Sequence, residues 1–130
     1  MAAVNIVNVA SIYGKTTYYT PSGATAVVLL PNAASSSTVM KINEITATNT
    51  TGTAANTTVS IYTNGAVAQG SAPSGGTAYP IAGTISVPAN AALIVSDKTT
   101  AFYLEEGVSI SITSGTASAI TYTVSYELMA

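Results

Sequence analysis

Very few side chains of this sequence have the types and the spacing that catalysis requires. The 130 residues include three Lys, five Asp or Glu, and no His, Cys or Arg. Without His and Cys the chain lacks the usual proton shuttle, the thiolate nucleophile and the commonest zinc ligands. Gly14-Lys15-Thr16 matches the end of a phosphate-binding loop, but Val9 stands where that motif needs another glycine. We therefore interpret these three residues as a turn after the first strand.

The acidic residues do not form a pattern suited to catalysis or metal binding. Glu105 and Glu106 are adjacent, and adjacent residues on a strand point to opposite faces. Asp97 with one of these glutamates would offer oxygen ligands to a calcium ion, but no loop carries closely spaced acids. Ser35-Ser36-Ser37 has no base to activate a hydroxyl. The sequence thus predicts no catalytic residue, no metal and no cofactor, and hence a protein that is not an enzyme.

Tyrosine is the residue type that most favours recognition, and it supplies eight of the nine aromatic residues. Tyr122 and Tyr126 fall on the apolar face of the last predicted strand, which indicates core packing. Other tyrosines lie near turns or strand ends, where a large ring with a polar tip suits an interface. In the adjacent pair Tyr18 and Tyr19, one ring can point inward and the other toward a partner. The candidate interface residues are Tyr13, Tyr18, Tyr19 and Tyr79; a carbohydrate-binding platform is the competing interpretation.

The surface expected from the composition is almost uncharged. Charged residues make up 6% of the chain, against roughly 25% in an ordinary domain, and the net charge is −2. Small and hydroxyl side chains must then cover the surface, which suits dense, permanent packing against neighbours; a low-charge monomer is the alternative. Three Lys are too few to bind nucleic acid, and no apolar run approaches the ~20 residues that span a bilayer. The chain starts without a secretory signal, so we expect it to be made in a cytoplasm.

Apolar and polar residues alternate with the period of two that is typical of strands, and no segment has a helical period. The clearest strand runs from Ile120 to Leu128. Its second face is rich in Thr, and such a face is either solvated or buried against another subunit. The sequence predicts an all-β fold over residues 1–130 as a single domain. It is an antiparallel β-sandwich, or jelly-roll-like fold, of seven to nine short strands.

Two internal segments carry the most specific local signals. Val39–Asn49 reads as a strand whose spacing slips, which indicates a β-bulge. Asn64-Gly65 is a strong hairpin signal, because both residues accept a positive φ. It predicts a tight turn between the strand Thr57–Thr63 and a return strand, Ala66–Gln69. Gly70–Pro80, with three glycines and two prolines, is expected to be a loop.

Several segments of the chain resemble a known group of proteins. These segments are the opening Val4–Val9 with Ile12–Lys15, then Thr84–Ala91, Phe102–Ile110 and Thr123–Glu127. The residues of these segments and their order along the chain resemble those of small virion structural proteins of tailed phages, notably those of marine cyanobacteria. The resemblance implies a β-sandwich that coats or cements a particle, located in the virion after synthesis in the host cytoplasm. It carries over no catalytic residue.

The expected function is that of a capsid decoration or cement protein. Such a protein would stabilise the phage head by binding the major capsid protein or another virion protein. We expect a small homo-oligomer, a trimer, with no nucleic acid or membrane partner. Residues 1–20 would form an extended arm that adds a strand to a neighbour; the alternative is that they start the chain's own sandwich. The alternative function is a tail, neck or fibre module, an adhesin that binds a host glycan or surface protein with Tyr79 and the loop 70–80.

Overall fold

A computed structural model of the chain describes residues 4–130 and shows an all-β protein. The described residues form nine strands and one short 3-10 turn. The strands are β1 (Ile12–Tyr19), β2 (Val27–Asn32), β3 (Val39–Asn49), β4 (Ala55–Tyr62), β5 (Ala78–Val87), β6 (Ala92–Ser96), β7 (Phe102–Leu104), β8 (Val108–Ser114) and β9 (Ile120–Met129), with the turn at Lys98–Thr100.

The strands form two antiparallel sheets that pack face to face. Sheet A has the order β1-β9-β3-β6, with β7 also paired to β3, and sheet B has the order β2-β8-β4-β5. The chain passes repeatedly from one sheet to the other, so most neighbours in a sheet are distant in sequence. This strand order is that of a jelly roll. The predicted fold class, an antiparallel sandwich of seven to nine strands, is confirmed.

The core lies between the sheets and is built by the alternation that the sequence shows. On β9, Tyr122 and Val124 are fully buried, whereas Thr121 and Thr123 are only half-buried on the other face. The two sheets contribute similar apolar side chains, because each strand turns every second residue inward. The largest fully buried apolar residues of this core are Leu29, Ile42, Ile45, Val59, Val87, Leu104, Ile110, Ile112, Ile120, Tyr122 and Val124.

Tyr122 links the two sheets through a polar bridge inside this core. Its hydroxyl donates to the carbonyl oxygen of Thr113 at 2.8 Å and also bonds the hydroxyl of Thr57. Thr57 is 1% exposed, so its hydroxyl depends on this partner. Desolvation by burial raises the pKa of Tyr122 to about 12, although the hydrogen bond from Thr57 opposes the shift.

We expect the protein to lose stability in alkali because of Tyr122. Its unfolded pKa is near 10 and its folded pKa about 12, so the unfolded state releases the proton first. Between these values the free energy of unfolding should fall by roughly 1 kcal/mol per pH unit. Urea unfolding measured from about pH 9 to about pH 12 tests this. Tyr122→Phe should flatten the decline, and Tyr79→Phe, which removes an exposed tyrosine, should leave it unchanged; equal slopes in all three proteins would contradict the assignment.

The predicted strand Val39–Asn49 is confirmed, but the predicted turn at Gly14-Lys15-Thr16 is wrong. β3 has these bounds, and its register with β9 shifts between Ile42 and Glu44, which is the expected bulge. Gly14, Lys15 and Thr16 instead lie in the middle of β1, which pairs with β9 without any shift. The local Gly-Lys signal is overridden because eight consecutive residues pair with β9, and every second one of them forms ladder hydrogen bonds with it.

The predicted hairpin at Asn64-Gly65 is also wrong, since β4 pairs with β5 and no strand forms at Ala66–Gln69. Asn64 makes a local turn instead. Its Oδ1 accepts from the backbone N–H of Ala66 at 3.0 Å, and its Nδ2 donates to the carbonyl of Ser74 at 2.8 Å. Gly65 is buried against the backbone of Asn32. A glycine is needed here for close approach of two backbones rather than for a hairpin turn.

The segment 63–77, which we call the cover loop, lies over sheet B. Ser109 Oγ donates to the carbonyl of Asn64 at 2.9 Å, and the N–H of Gly76 donates to the hydroxyl of Tyr62 at 3.0 Å. Farther along, the N–H of Gly70 donates to the carbonyl of Val28 at 2.8 Å. The chain's own loop therefore covers the outer face of sheet B over β8 and β4 and lies along the edge of β2. This explains why Ser60, Tyr62, Ser109 and Ser111 are buried although they alternate with core residues.

Candidate interaction surface

The outer face of sheet A is made of small hydroxyl side chains. Register places Tyr18 of β1 beside Thr123 of β9, Thr123 beside Thr46 of β3, and Thr46 beside Ile94 of β6. This row crosses four of the five strands of sheet A, and it begins and ends with a large exposed side chain. We call the surface formed by Thr16, Tyr18, Thr46, Thr48, Ile94, Thr121, Thr123 and Ser125 the open face.

The hydroxyls of the open face bond to each other across neighbouring strands. Thr16 Oγ1 and Ser125 Oγ lie 3.3 Å apart, and Thr20 Oγ1 and Thr121 Oγ1 lie 2.8 Å apart. A hydroxyl that already has a partner loses less on leaving water than a free one. These hydroxyls carry no charge and can be buried against a neighbouring protein at low cost; the nearest charge on this face is that of Glu44, which is exposed and pairs with Ser125.

Charged residues of sheet A are concentrated at one end of this surface. In the row beside Gly14, Glu127 of β9 pairs with Lys41 of β3, and Lys41 pairs with Tyr103 of β7. Glu127 also accepts a hydrogen bond from Asn43 Nδ2 at 3.1 Å. The charges of this row are therefore placed next to opposite charge or a donor, and the row from Tyr18 to Ile94 contains no charged residue.

The acidic residues that would have formed a calcium site lie in two different clefts. Asp97 lines a shallow cleft with Glu44 and Lys98, whereas Glu105 and Glu106 line a cleft of about 190 Å³ with Val4 and Ile6. Hydrogen bonds from Thr99, at 2.5 Å from its hydroxyl and 2.9 Å from its N–H, lower the pKa of Asp97. Across residues 4–130, no group of three or more His, Cys, Asp or Glu is placed to hold a metal ion.

The four candidate tyrosines are placed at different parts of the molecule. Tyr18 is 70% exposed on the open face, whereas its neighbour Tyr19 turns inward beside Tyr122 and packs against the core. Tyr13 lies on the same strand and is exposed, but it belongs to the inward row. Tyr79 is exposed on β5, in the other sheet. Three of them therefore lie on β1, but on two different faces, and Tyr79 is separate.

The structure adds Ile94 to the candidate surface. Its side chain is 60% exposed, yet its position beside Thr46 follows only from the pairing of β6 with β3. The alternation of Leu93 and Val95 with Ile94 indicates that Ile94 faces away from the core. In the sequence, the position of Ile94 between two core-facing residues was therefore the only indication that it is exposed.

The predicted N-terminal arm falls partly outside the described residues, which begin at Val4. Ile12–Tyr19 pairs with β9 of the same chain, and the N–H groups of Ala10 and Ser11 both donate to the carbonyl of Ala130. Extension of this segment to a neighbouring subunit stays a prediction. No helix in the described part of the chain is long and apolar enough to cross a membrane.

Comparisons with known proteins give one structural likeness. No protein-family model and no curated protein matches the sequence. Among solved structures, the chain is similar to a chain of the T13 IBDV viral particle, with a TM-score of 0.48 and 12% sequence identity. The match covers 92% of this chain and 30% of that chain, so the present chain spans less than a third of its length. At this score and identity, the likeness does not bear on what the chain binds.

Proposed function

We propose that this protein is a non-enzymatic structural component of a virus particle, a decoration or cement protein on the head of a tailed phage. In this proposal, the open face of sheet A packs against the major capsid protein. Many copies then add buried area across the boundaries between capsid subunits and oppose the internal pressure of the genome. The resemblance of the sequence to small virion proteins of marine phages is part of the proposal, as is a location in the virion.

The observation that carries the proposal is the difference between the two outer faces. The cover loop lies over β8 and β4 of sheet B, whereas no comparable segment of residues 4–130 lies over the open face of sheet A, which presents Tyr18 and Ile94 beside uncharged Thr residues. Uncharged hydroxyl surfaces flanked by large apolar side chains suit a permanent contact, because few charges must be desolvated. Such a contact should also respond little to salt, since there is little charge to screen.

The fold alone does not select this function, because jelly rolls occur in capsid proteins, lectins and enzymes alike. A glycan-binding site needs polar side chains that are free to meet sugar hydroxyls. Asn64, which precedes the loop 70–80 expected to supply them, already uses its side-chain amide on Ser74 and Ala66. On the open face, the hydroxyls of Thr16 and Ser125 are bonded to each other, which favours packing against protein over binding of sugars.

Binding to particles that lack the protein tests the proposal. We expect Thr123→Lys, which places a charge at the centre of the open face, to weaken binding to such particles by at least about tenfold, roughly 1.4 kcal/mol. Thr77→Lys, in the cover loop, is the matched control and should bind like the wild type. Wild-type affinity should change less than about threefold between roughly 0.05 and 0.5 M NaCl.

Copy number per virion separates the proposal from its alternative. Quantitative mass spectrometry should find hundreds of copies per purified particle, in a simple ratio to the major capsid protein. A few dozen copies or fewer, together with binding of the wild type to host cells or glycans, would favour a tail or fibre adhesin. Absence from particles would overturn the virion assignment.

A further inference from the structure

The two edges of sheet B are closed by the chain itself. On β2, the N–H of Val28 donates to the carbonyl of Ser71 at 2.9 Å, and the carbonyl of Val28 accepts from Gly70 at 2.8 Å. β5 contains Pro80 and two register shifts, and Thr84 there has a positive φ of 50°. A covered edge and a bulged, proline-containing edge are common devices that prevent pairing with another chain.

The two edges of sheet A differ from one another. One edge is made of the short strands β6 and β7, which the turn Lys98–Thr100 interrupts. The other is β1, which is eight residues long, has no register shift and is mostly exposed. Among the strands that the structure describes, β1 is therefore the edge that has no covering segment, no proline and no register shift, and Lys15 is its only charged residue.

The pairing of β1 with β9 shows which backbone groups face outward. Ser11 and Ala130 exchange two hydrogen bonds, each of 3.1 Å, so the backbone of Ser11 faces β9. Backbone groups alternate along an antiparallel strand, so those of Ile12, Gly14, Thr16 and Tyr18 face away from β9. Within residues 4–130, β1 pairs with no strand other than β9.

We propose that a second copy of the chain pairs antiparallel along β1, with Thr16 on the two-fold axis. Thr16 then faces Thr16 of the partner subunit, and Gly14 faces Tyr18 of the partner subunit. In this register, the residues whose backbone groups face away from β9 lie opposite one another across the two-fold axis. Each such pair exchanges two backbone hydrogen bonds. Sheet A continues through both copies as one sheet, and the two open faces lie side by side on the same surface.

Side-chain chemistry selects this register over its neighbours. A Cβ built on Gly14 meets no atom within 4 Å, which leaves space for the tyrosine ring of the partner. Glycine and aromatic residues also form favourable cross-strand pairs. Tyr18 is 70% exposed and has that ring available. A register centred on Lys15 would place the two Lys15 ammonium groups opposite each other, which is unfavourable. A register centred on Gly14 would no longer place Tyr18 opposite Gly14 of the partner subunit.

This inference does not depend on the proposed function. The interface is isologous and closes with two copies, so it differs from the trimer expected from the sequence. It also gives the candidate residue Tyr18 a defined neighbour. If the protein does decorate a particle, the dimer would present a double-width open face to it.

Cysteine cross-linking tests the register, because the chain contains no cysteine of its own. Facing residues of a hydrogen-bonded pair lie about 5.5 Å apart at Cα, within the range for a disulfide. Thr16→Cys should therefore form a linked dimer under mild oxidation. In Tyr18→Cys, the two cysteines of the dimer lie about 13 Å or more apart along the strands, so they should not form a disulfide. Linking at Tyr18→Cys but not at Thr16→Cys would overturn the register.

Sedimentation velocity measures the dimer without any cross-link. Thr16→Pro removes an N–H that points to the partner rather than to β9, and it should weaken dimerisation by at least about tenfold while the variant stays folded. Thr16→Ala is the matched control, since it keeps the N–H and loses the same hydroxyl. Circular dichroism confirms folding of both. A wild-type protein that stays monomeric at about 100 μM, a concentration well above a Kd in the micromolar range, would overturn the proposal.

Discussion

Gly65→Ala should destabilise this protein by at least about 3 kcal/mol, which is a large loss for a domain of this size. The new Cβ would lie 2.7 Å from the carbonyl carbon of Asn32, closer still to its oxygen, and 2.9 Å from the backbone nitrogen of Val108. These are backbone atoms of two strands that pair with each other, β2 and β8. Neither can move aside without loss of ladder hydrogen bonds.

The position of Gly65 makes this effect larger than that of an ordinary buried glycine. It lies near the start of the cover loop, and the residue before it, Asn64, accepts the hydrogen bond from Ser109. A methyl group at 65 would therefore force either the loop off sheet B or β2 away from β8. Release of the loop would expose the buried hydroxyls of Ser60 and Ser111 to water.

Gly23→Ala is the matched control for this prediction. A Cβ at Gly23 meets no atom within 4 Å, and the residue is exposed. Its free energy of unfolding should lie within about 0.5 kcal/mol of the wild type. Urea unfolding of the three proteins measures both effects. If Gly65→Ala unfolds at the wild-type urea concentration, the close approach of the cover loop to β2 is refuted.

Asn49→Asp should have the second largest effect, a loss of about 3 to 5 kcal/mol at neutral pH. Asn49 is 1% exposed and uses its whole amide group. Its Nδ2 donates to the carbonyls of Thr53 at 2.8 Å and Val87 at 3.0 Å, and its Oδ1 accepts from the N–H and hydroxyl of Thr51. An aspartate would replace both donors with a charged oxygen that faces two carbonyl oxygens.

The pH dependence of the aspartate variant gives the prediction a sign. Burial against carbonyl oxygens favours the protonated acid, so the folded pKa of the new carboxyl should rise above its unfolded value. The free energy of unfolding of Asn49→Asp should therefore be closest to that of the wild type in acid. It should fall further below the wild-type value as the pH rises through the folded pKa of the new carboxyl. Asn56→Asp, at an exposed position of β4, is the control and should change little. A destabilisation of Asn49→Asp that is equal at about pH 3 and about pH 8 would contradict this explanation.

The sequence determined the strands of this protein, because alternation of apolar and polar residues is a local property. Ile120–Met129 places Tyr122 and Val124 inside and Thr121 and Thr123 outside in the way that its pattern predicts. The bulge in β3 was also visible, since the spacing of its apolar residues slips at that point. The nearly neutral surface follows from composition alone, because eight charged residues cannot cover a domain of this size.

The tertiary structure decided which strands pair and which surfaces remain open. Asn64-Gly65 carries a strong local hairpin signal, yet β4 finds its partner beyond the cover loop, because Gly65 fits against β2 and β8. The pair Tyr18 and Tyr19 must face opposite ways on any strand, but the register with β9 determines that Tyr19 enters the core. Ile94 joins the open face only through the pairing of β6 with β3. These outcomes depend on contacts between residues far apart in sequence, and local patterns carry little information about such contacts.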